Sequence, residues 1–120
     1  MSNLSDAINL TLGAGGYKPD DGTASASGGA ATLSKQAGVI TSEALTTAGL
    51  AAYTLTLTNT VVAAADIVFA SIQNGTNTQG TPVVGRTAPG SGSMTIEVRN
   101  VHATEAMNGT IKIAFLIFKA

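Results

Sequence analysis

Large apolar side chains alternate with threonine through Tyr53-Thr54-Leu55-Thr56-Leu57-Thr58-Asn59, and the same period of two returns in Met94-Thr95-Ile96-Glu97-Val98-Arg99-Asn100. Successive residues of a strand face opposite sides, so each run predicts a half-buried antiparallel strand. Met94, Ile96 and Val98 are expected inward, with Thr95, Glu97 and Arg99 in solvent. Weaker strand candidates are Ala31 to Lys35, Gly38 to Ser42, Ile67 to Gln73 and Pro82 to Thr87, while Thr110 to Lys119 is the longest and most apolar. Six or seven strands in about 90 residues is the count of a small sandwich. The expected class is therefore all-β: a small antiparallel β-sandwich, jelly-roll-like or Ig-like.

Turn chemistry punctuates these runs at Asn74-Gly75, Gln79-Gly80, Pro89-Gly90-Ser91-Gly92 and Asn108-Gly109. Glycine and asparagine supply the backbone conformations that tight turns require. Ala103 to Met107 reads as a helical turn or a loop, so a tight hairpin at Asn108-Gly109 is only one option. Ser42 to Leu50 is a candidate short helical turn, disfavoured by Gly49 and two threonines.

The pattern changes near residue 30. Gly13 to Gly29 reads GAGGYKPDDGTASASGG and offers only Tyr17 as a sizeable apolar side chain. Such a stretch buries too little surface to offset its ordering entropy. Residues 1–30 are thus expected to be an N-terminal arm and linker, and residues 31–120 the sandwich. Leu4, Ala7, Ile8 and Leu12 recur near helical spacing, which allows one or two amphipathic turns. The segment is either a disordered tail or an arm that orders on a partner through Leu4, Ile8, Leu10, Leu12 and Tyr17. Met1 to Leu12 has no basic residue and no apolar run of signal-peptide length, so no export signal is expected.

The last strand is anomalous. Ile111-Lys112-Ile113 alternates, whereas Ala114 to Phe118 is apolar on both faces. One face of a sandwich strand meets the core and the other meets solvent, so a doubly apolar strand calls for a second cover. The N-terminal arm or a neighbouring subunit would serve. A small core with few aromatics is marginal alone and oligomerisation is a usual remedy. The preferred expectation is therefore a subunit interface containing Ile113, Phe115, Leu116, Ile117 and Phe118.

Composition thins the chemical inventory. Across 120 residues, six Lys plus Arg face seven Asp plus Glu, and charged residues make up 11%, against roughly 25% in an average soluble protein. The net charge of -1 gives no field to steer the chain to phosphate or an anionic bilayer. Nucleic acid and membrane are not expected partners. The absence of cysteine removes disulfides, thiolate metal sites and thiol nucleophiles. His102 is the sole imidazole and has no adjacent carboxylate, which favours a structural histidine. The acids stand singly except Asp20-Asp21, whose position before Gly22 suggests an Asx-type turn more than a calcium loop.

The Gly13-Ala14-Gly15-Gly16 run lacks the Gly-Lys-Ser/Thr of a phosphate loop, and Gly90-Ser91-Gly92-Ser93 lacks the spacing of a nucleophile elbow. The Asn-x-Thr triplets at Asn9, Asn74 and Asn108 are expected to be turns. No catalytic residue, cofactor or metal is expected, and the protein is not expected to be an enzyme. What remains is a threonine-rich strand face and the loop Asn74 to Thr81, uncharged surfaces suited to a protein or a sugar. Sugar sites usually add an exposed aromatic platform, so protein docking is the better expectation.

From about Thr32 to Ala120 the chain resembles a family of small β-sandwich virion proteins of tailed bacteriophages. The resemblance is carried by Gly38-Val39-Ile40-Thr41, Leu55-Thr56-Leu57-Thr58-Asn59, Ile67-Val68 through Ser71-Ile72, Gly92-Ser93 with Ile96 and Val98-Arg99-Asn100-Val101, and Ile111 to Lys119. It implies a capsid decoration (cement) protein that binds and stabilises the outside of the phage head. The implied partners are the major capsid protein and sister subunits, most simply in a homotrimer. The implied location is the virion surface, after synthesis in the host cytoplasm. A receptor- or glycan-binding head-fibre or tail-fibre module is the alternative. No catalytic residue is carried over.

Overall fold

The computed structural model describes residues 20–120. The expected arm residues Leu4, Ile8, Leu10, Leu12 and Tyr17 therefore lie outside the described part. Eight strands follow in order: β1 (Asp21–Ser25), β2 (Ala30–Thr32), β3 (Ala37–Thr41), β4 (Ala52–Thr58), β5 (Ile67–Asn74), β6 (Pro82–Pro89), β7 (Ser93–Asn100) and β8 (Ile111–Phe118). They form two four-stranded sheets, a first with order β1-β3-β8-β5 and a second with order β2-β4-β7-β6. The expected all-β sandwich is what the chain adopts.

Strands β3 to β8 are joined only by antiparallel pairs, β3 with β8, β8 with β5, β4 with β7 and β7 with β6. Pairing β3 with β8 and β4 with β7 rolls a long antiparallel ribbon over two layers, the winding of a jelly roll. β1 and β2 add one parallel strand each, beside β3 and β4. Among the described residues, β6 and β7 are the one consecutive pair that shares a sheet. Their turn places Gly92 at φ 82° and closes with Gly90 N–H donating to Ser93 O at 2.8 Å. Only glycine adopts that φ without steric cost.

The core lies between the sheets. The inward set includes Leu55 and Leu57 from β4, Met94, Ile96 and Val98 from β7, Ile40 from β3, and Ile111, Ile113, Phe115 and Ile117 from β8, all buried. These are the positions the period of two selects. Gly38 of β3 pairs with Phe115, and a Cβ there would lie 2.6 Å from Leu33 Cδ2, 2.7 Å from Gly22 O and 3.1 Å from the Phe115 ring. The aromatic ring and Leu33 fill the space that a side chain would occupy.

Four expectations need correction. The sandwich begins at Asp21, inside the stretch read as linker, and Asp20-Asp21 makes no Asx turn. β1 has almost no large side chain of its own because Leu33 closes over Gly22, so backbone pairing with β3 and the neighbour's leucine supply what composition did not show. Ser42 to Leu50 contains no helix. Its backbone is instead tied across the fold by Leu45 N–H to Gly109 O at 2.9 Å and Leu50 N–H to Asn100 O at 2.7 Å. Asn108-Gly109 turns no hairpin, because β7 and β8 lie in different sheets and the turn carries the chain between layers.

Candidate docking face and loop networks

Because paired residues share a face, the registers fix what each sheet shows to the outside. On the first sheet the outward rows are Ile67 and Phe118; Phe69, Leu116, Ala37 and Asp21; Ser71, Ala114, Val39 and Thr23; and Gln73, Lys112, Thr41 and Ser25. One end of this face is apolar and the other polar. Ile67, Phe69 and Phe118 keep 55%, 56% and 61% of their surface exposed. The Phe69 and Phe118 rings meet edge to face, with centroids 6.5 Å apart and planes at 85°. Open hollows of about 220 and 230 Å³ flank Leu116, the first beside Phe69 and Ala114 and the second beside Gln36 and Phe118. Another of about 410 Å³ lies over the polar half, between Thr23, Gln73 and Lys112.

The predicted interface residues divide accordingly. Leu116 and Phe118 stand on the outer face, but Ile113, Phe115 and Ile117 point between the sheets with 0%, 4% and 0% exposure. The chain's own core already takes these three, so they are not surface residues. The strand is apolar on both sides, as its sequence shows, yet alternation assigns one side to the core. Ile67 and Phe69 complete the patch from β5. Their segment, Ile67 to Gln73, shows no clean alternation that would mark them as outward.

The second sheet differs. Thr54, Thr56, Thr95, Glu97 and Arg99 share its outer side, the threonine-rich polar face. Three further exposed apolar residues, Leu50, Val83 and Val101, lie at one end of that sheet, and Leu50 holds φ 64°. That left-handed conformation is unfavourable for a branched side chain.

The loops are fixed by three buried asparagines. Asn100 Oδ1 accepts from the N–H groups of Thr81 and His102 at 3.0 and 3.1 Å, and its Nδ2 donates to Thr47 O and Glu105 O at 3.1 and 2.8 Å. Asn59 Oδ1 accepts from Val61 and Val62, and its Nδ2 donates to Lys35 O. Asn77 Nδ2 donates to Asn74 Oδ1 and Gln79 O, while its Oδ1 accepts from Asn108 N–H. Among the described residues no buried side-chain polar atom is left without a partner. The same economy governs the Asn74 to Thr81 loop: Thr76 pairs with Thr110, Thr78 with Asn108, and the Gly80 amide donates to Glu105. Its polar groups are largely spent within the fold.

Several charged groups are likewise held within the fold. Glu43 receives Tyr53 Oη–H at 2.7 Å and Gly29 N–H at 2.6 Å. Burial alone would raise the Glu43 carboxyl, but these hydrogen bonds hold it below its usual range. The Tyr53 hydroxyl is pushed well above its ordinary value, first by burial and then by its bond to the Glu43 anion and that anion's charge. Asp66 is held below its usual range first by the Lys119 ammonium, with the Ala120 and Ala63 amides adding to it. His102 Nδ1 accepts from Thr104 and Glu105 N–H at 3.1 and 2.8 Å, the structural role expected of it. Among the described residues no three His, Asp or Glu side chains gather as a metal site, and no helix is long and apolar enough to cross a membrane.

No known protein family, curated protein or solved structure matches this chain. The site must therefore be judged on its own geometry: a jelly-roll-like sandwich with one polar sheet face and one partly apolar sheet face.

Proposed function

We propose that the protein is a structural docking module, and specifically a decoration protein that binds the outside of an assembled phage head. The observation that carries the docking role is the apolar end of the first sheet, where Ile67, Phe69, Leu116 and Phe118 adjoin on an outward face. Contiguous apolar surface of this kind marks an interaction site in a folded domain. The virion assignment draws on the strand-and-turn resemblance. In this role the face packs on the shell, and a protein that binds only the assembled shell stabilises it by mass action. Self-association into an oligomer such as a trimer multiplies a weak contact into avidity.

The test is cosedimentation with purified heads of the phage that encodes the chain, using Phe69→Ser and Phe118→Ser variants. Both side chains are more than half exposed, so folding is expected to survive while occupancy falls at least tenfold. Full occupancy by both variants would remove the face from the mechanism, and a cryo-EM map lacking the protein on the head would remove the capsid assignment. The face carries charge only at Lys112 and Asp21, so binding is expected to depend weakly on salt.

A further inference from the structure

The outward residues of the first sheet are placed so that the face complements itself. Strands lie about 4.8 Å apart and successive outward rows about 6.8 Å apart. One strand across and one row along, repeated, leads from Ile67 on β5 to Leu116 on β8, Val39 on β3 and Ser25 on β1, a diagonal over the whole face. Residues of like kind fall in matched places on its two sides. Phe69 stands opposite Phe118, each about 4 Å from the line. Ala114 stands opposite Ala37, and Thr41 opposite Thr23. Lys112 and Asp21, the charges of these rows, also stand on opposite sides, about 8 Å from the line each and about 5 Å apart along it.

A two-fold axis along this diagonal lays each side of the face on the other side of a second copy. Such a contact uses one patch twice, so every cross-contact occurs in two symmetric places. Aromatic meets aromatic, threonine meets threonine, and the length of the Lys112 side chain spans the remaining offset to Asp21. The strands of the two copies cross at about 70°, toward the orthogonal class of sheet packing. Among the described residues neither Asp21 nor Lys112 forms an ion pair, whereas Asp20, Asp66 and Glu97 each have one. An unrelated partner would have to supply both opposite charges in the matching places; a second copy brings them by symmetry. The area also suffices. Ile67, Phe69 and Phe118 each leave a little over half their surface free, about 350 Å² together at roughly 200 Å² per large side chain. The other outward residues, at about 35 Å² each, bring the face to roughly 700 Å², near the low end of the range of about 600–1,000 Å² per partner for specific interfaces.

We infer that two copies of the chain pair through the outer faces of their first sheets, about a two-fold axis along the Ile67–Leu116–Val39 diagonal, with Phe69 against Phe118 and Asp21 against Lys112 across the pair. The inference rests on the docking face proposed above and names its occupant in the free chain; it does not need the capsid assignment. A shell that used the same face would have to separate the pair.

Sedimentation velocity of the full-length chain over a range of micromolar concentrations tests this, with a reversible dimer expected. Asp21→Lys puts like charges together in both symmetric places, and so does Lys112→Asp. Each variant alone is expected to weaken self-association at least tenfold. An equimolar mixture of the two restores an opposite pair in both places and is expected to dimerise again. Both positions are exposed, so circular dichroism should show an unchanged fold. Thr56→Lys, on the outer side of the second sheet, is the control and should dimerise as the natural chain does. A monomer at every concentration, a trimer, a dimer that survives both single variants, or a mixture that stays monomeric would each overturn the inference. A monomeric chain whose cosedimentation with heads still depends on Phe69 would remove the pairing and keep the docking role; a dimer that never binds heads would do the reverse.

Discussion

Replacing Asn100 by alanine removes four hydrogen bonds that converge from three separate segments. The side chain is fully buried and joins Thr47 of the β3–β4 loop, Thr81 before β6, and His102 and Glu105 of the β7–β8 loop. Two backbone N–H and two C=O groups lose their partner at once. An unsatisfied buried group costs about 1–3 kcal/mol. Thr81 and Glu105 are exposed residues, so water can reach part of the vacated site, and we expect a net loss of about 3–4 kcal/mol. That is a large share of the 5–15 kcal/mol typical of whole domains, and it corresponds to a fall of roughly 12–25 °C in Tm for a domain this size. Urea titration followed by far-UV circular dichroism is the assay, with a shifted midpoint and an unchanged slope expected. Asn100→Asp tests the donors separately. It keeps both accepting bonds but sets an oxygen against the Thr47 and Glu105 carbonyls, so it should lose a comparable amount at neutral pH. Asn74, which is exposed and contributes one side-chain bond to this region, is the control, with Asn74→Ala costing under about 1 kcal/mol. A loss below about 1 kcal/mol for Asn100→Ala would refute the view that this side chain holds the three segments together.

Gly38→Ala should cost about 1–3 kcal/mol in thermal unfolding, because its Cβ would press on Leu33, Gly22 O and Phe115. Leu50→Asn should stabilise by about 0.5–1 kcal/mol in the same measurement, since asparagine tolerates the left-handed φ of 64° far better than leucine. Tyr53→Phe should cost about 1 kcal/mol at neutral pH, allowing for the partial exposure of Glu43. Its pH signature has two arms. The raised Tyr53 hydroxyl contributes stability that is complete below its unfolded pKa of about 10 and is lost as pH rises. The lowered Glu43 carboxyl contributes stability that is present above its unfolded pKa of about 4.3 and is lost as pH falls. Unfolding midpoints measured across pH should therefore show Tyr53→Phe abolishing the Tyr53 alkaline loss and shrinking the Glu43 acid loss; identical pH profiles for the variant and the natural chain would contradict the pairing.

The strands that alternate were legible because burial on one face imposes a period of two on the residues themselves. β4 and β7 lie within a residue of the expected limits, and Leu55, Leu57, Ile96 and Val98 are as buried as their spacing requires. β1 was hidden for the opposite reason. Asp21-Gly22-Thr23-Ala24-Ser25 packs through a neighbour's Leu33 and through parallel pairing, neither of which leaves a pattern within the strand. The same limit governs the docking face. The sequence of β8 shows two apolar sides but not which one the core uses, and that choice depends on Gly38 and Ile40 of β3 lying opposite Phe115 and Ile113. Asn59, Asn77 and Asn100 were invisible as buried hubs because asparagine beside a turn is ordinarily exposed.

The exposed edges add a constraint on any account of the docking face. An unpaired edge strand invites another chain, and proteins blunt it by shortness, proline, charge or a bulge. β2 is three residues long, β1 begins with Asp21, and β6 carries Pro82, Pro89 and a bulge between Val84 and Arg86. β5 runs eight residues without proline, charge or register shift, but β6 of the second sheet lies close beside it. One of its carbonyls, that of Val68, accepts from the Thr87 hydroxyl at 3.2 Å. β5 also carries Ile67 and Phe69, so the strand flanked by β6 is one of the two that present the apolar face. With β6 along its edge, what β5 offers a partner is its outer face, where Ile67 and Phe69 adjoin Leu116 and Phe118 of β8.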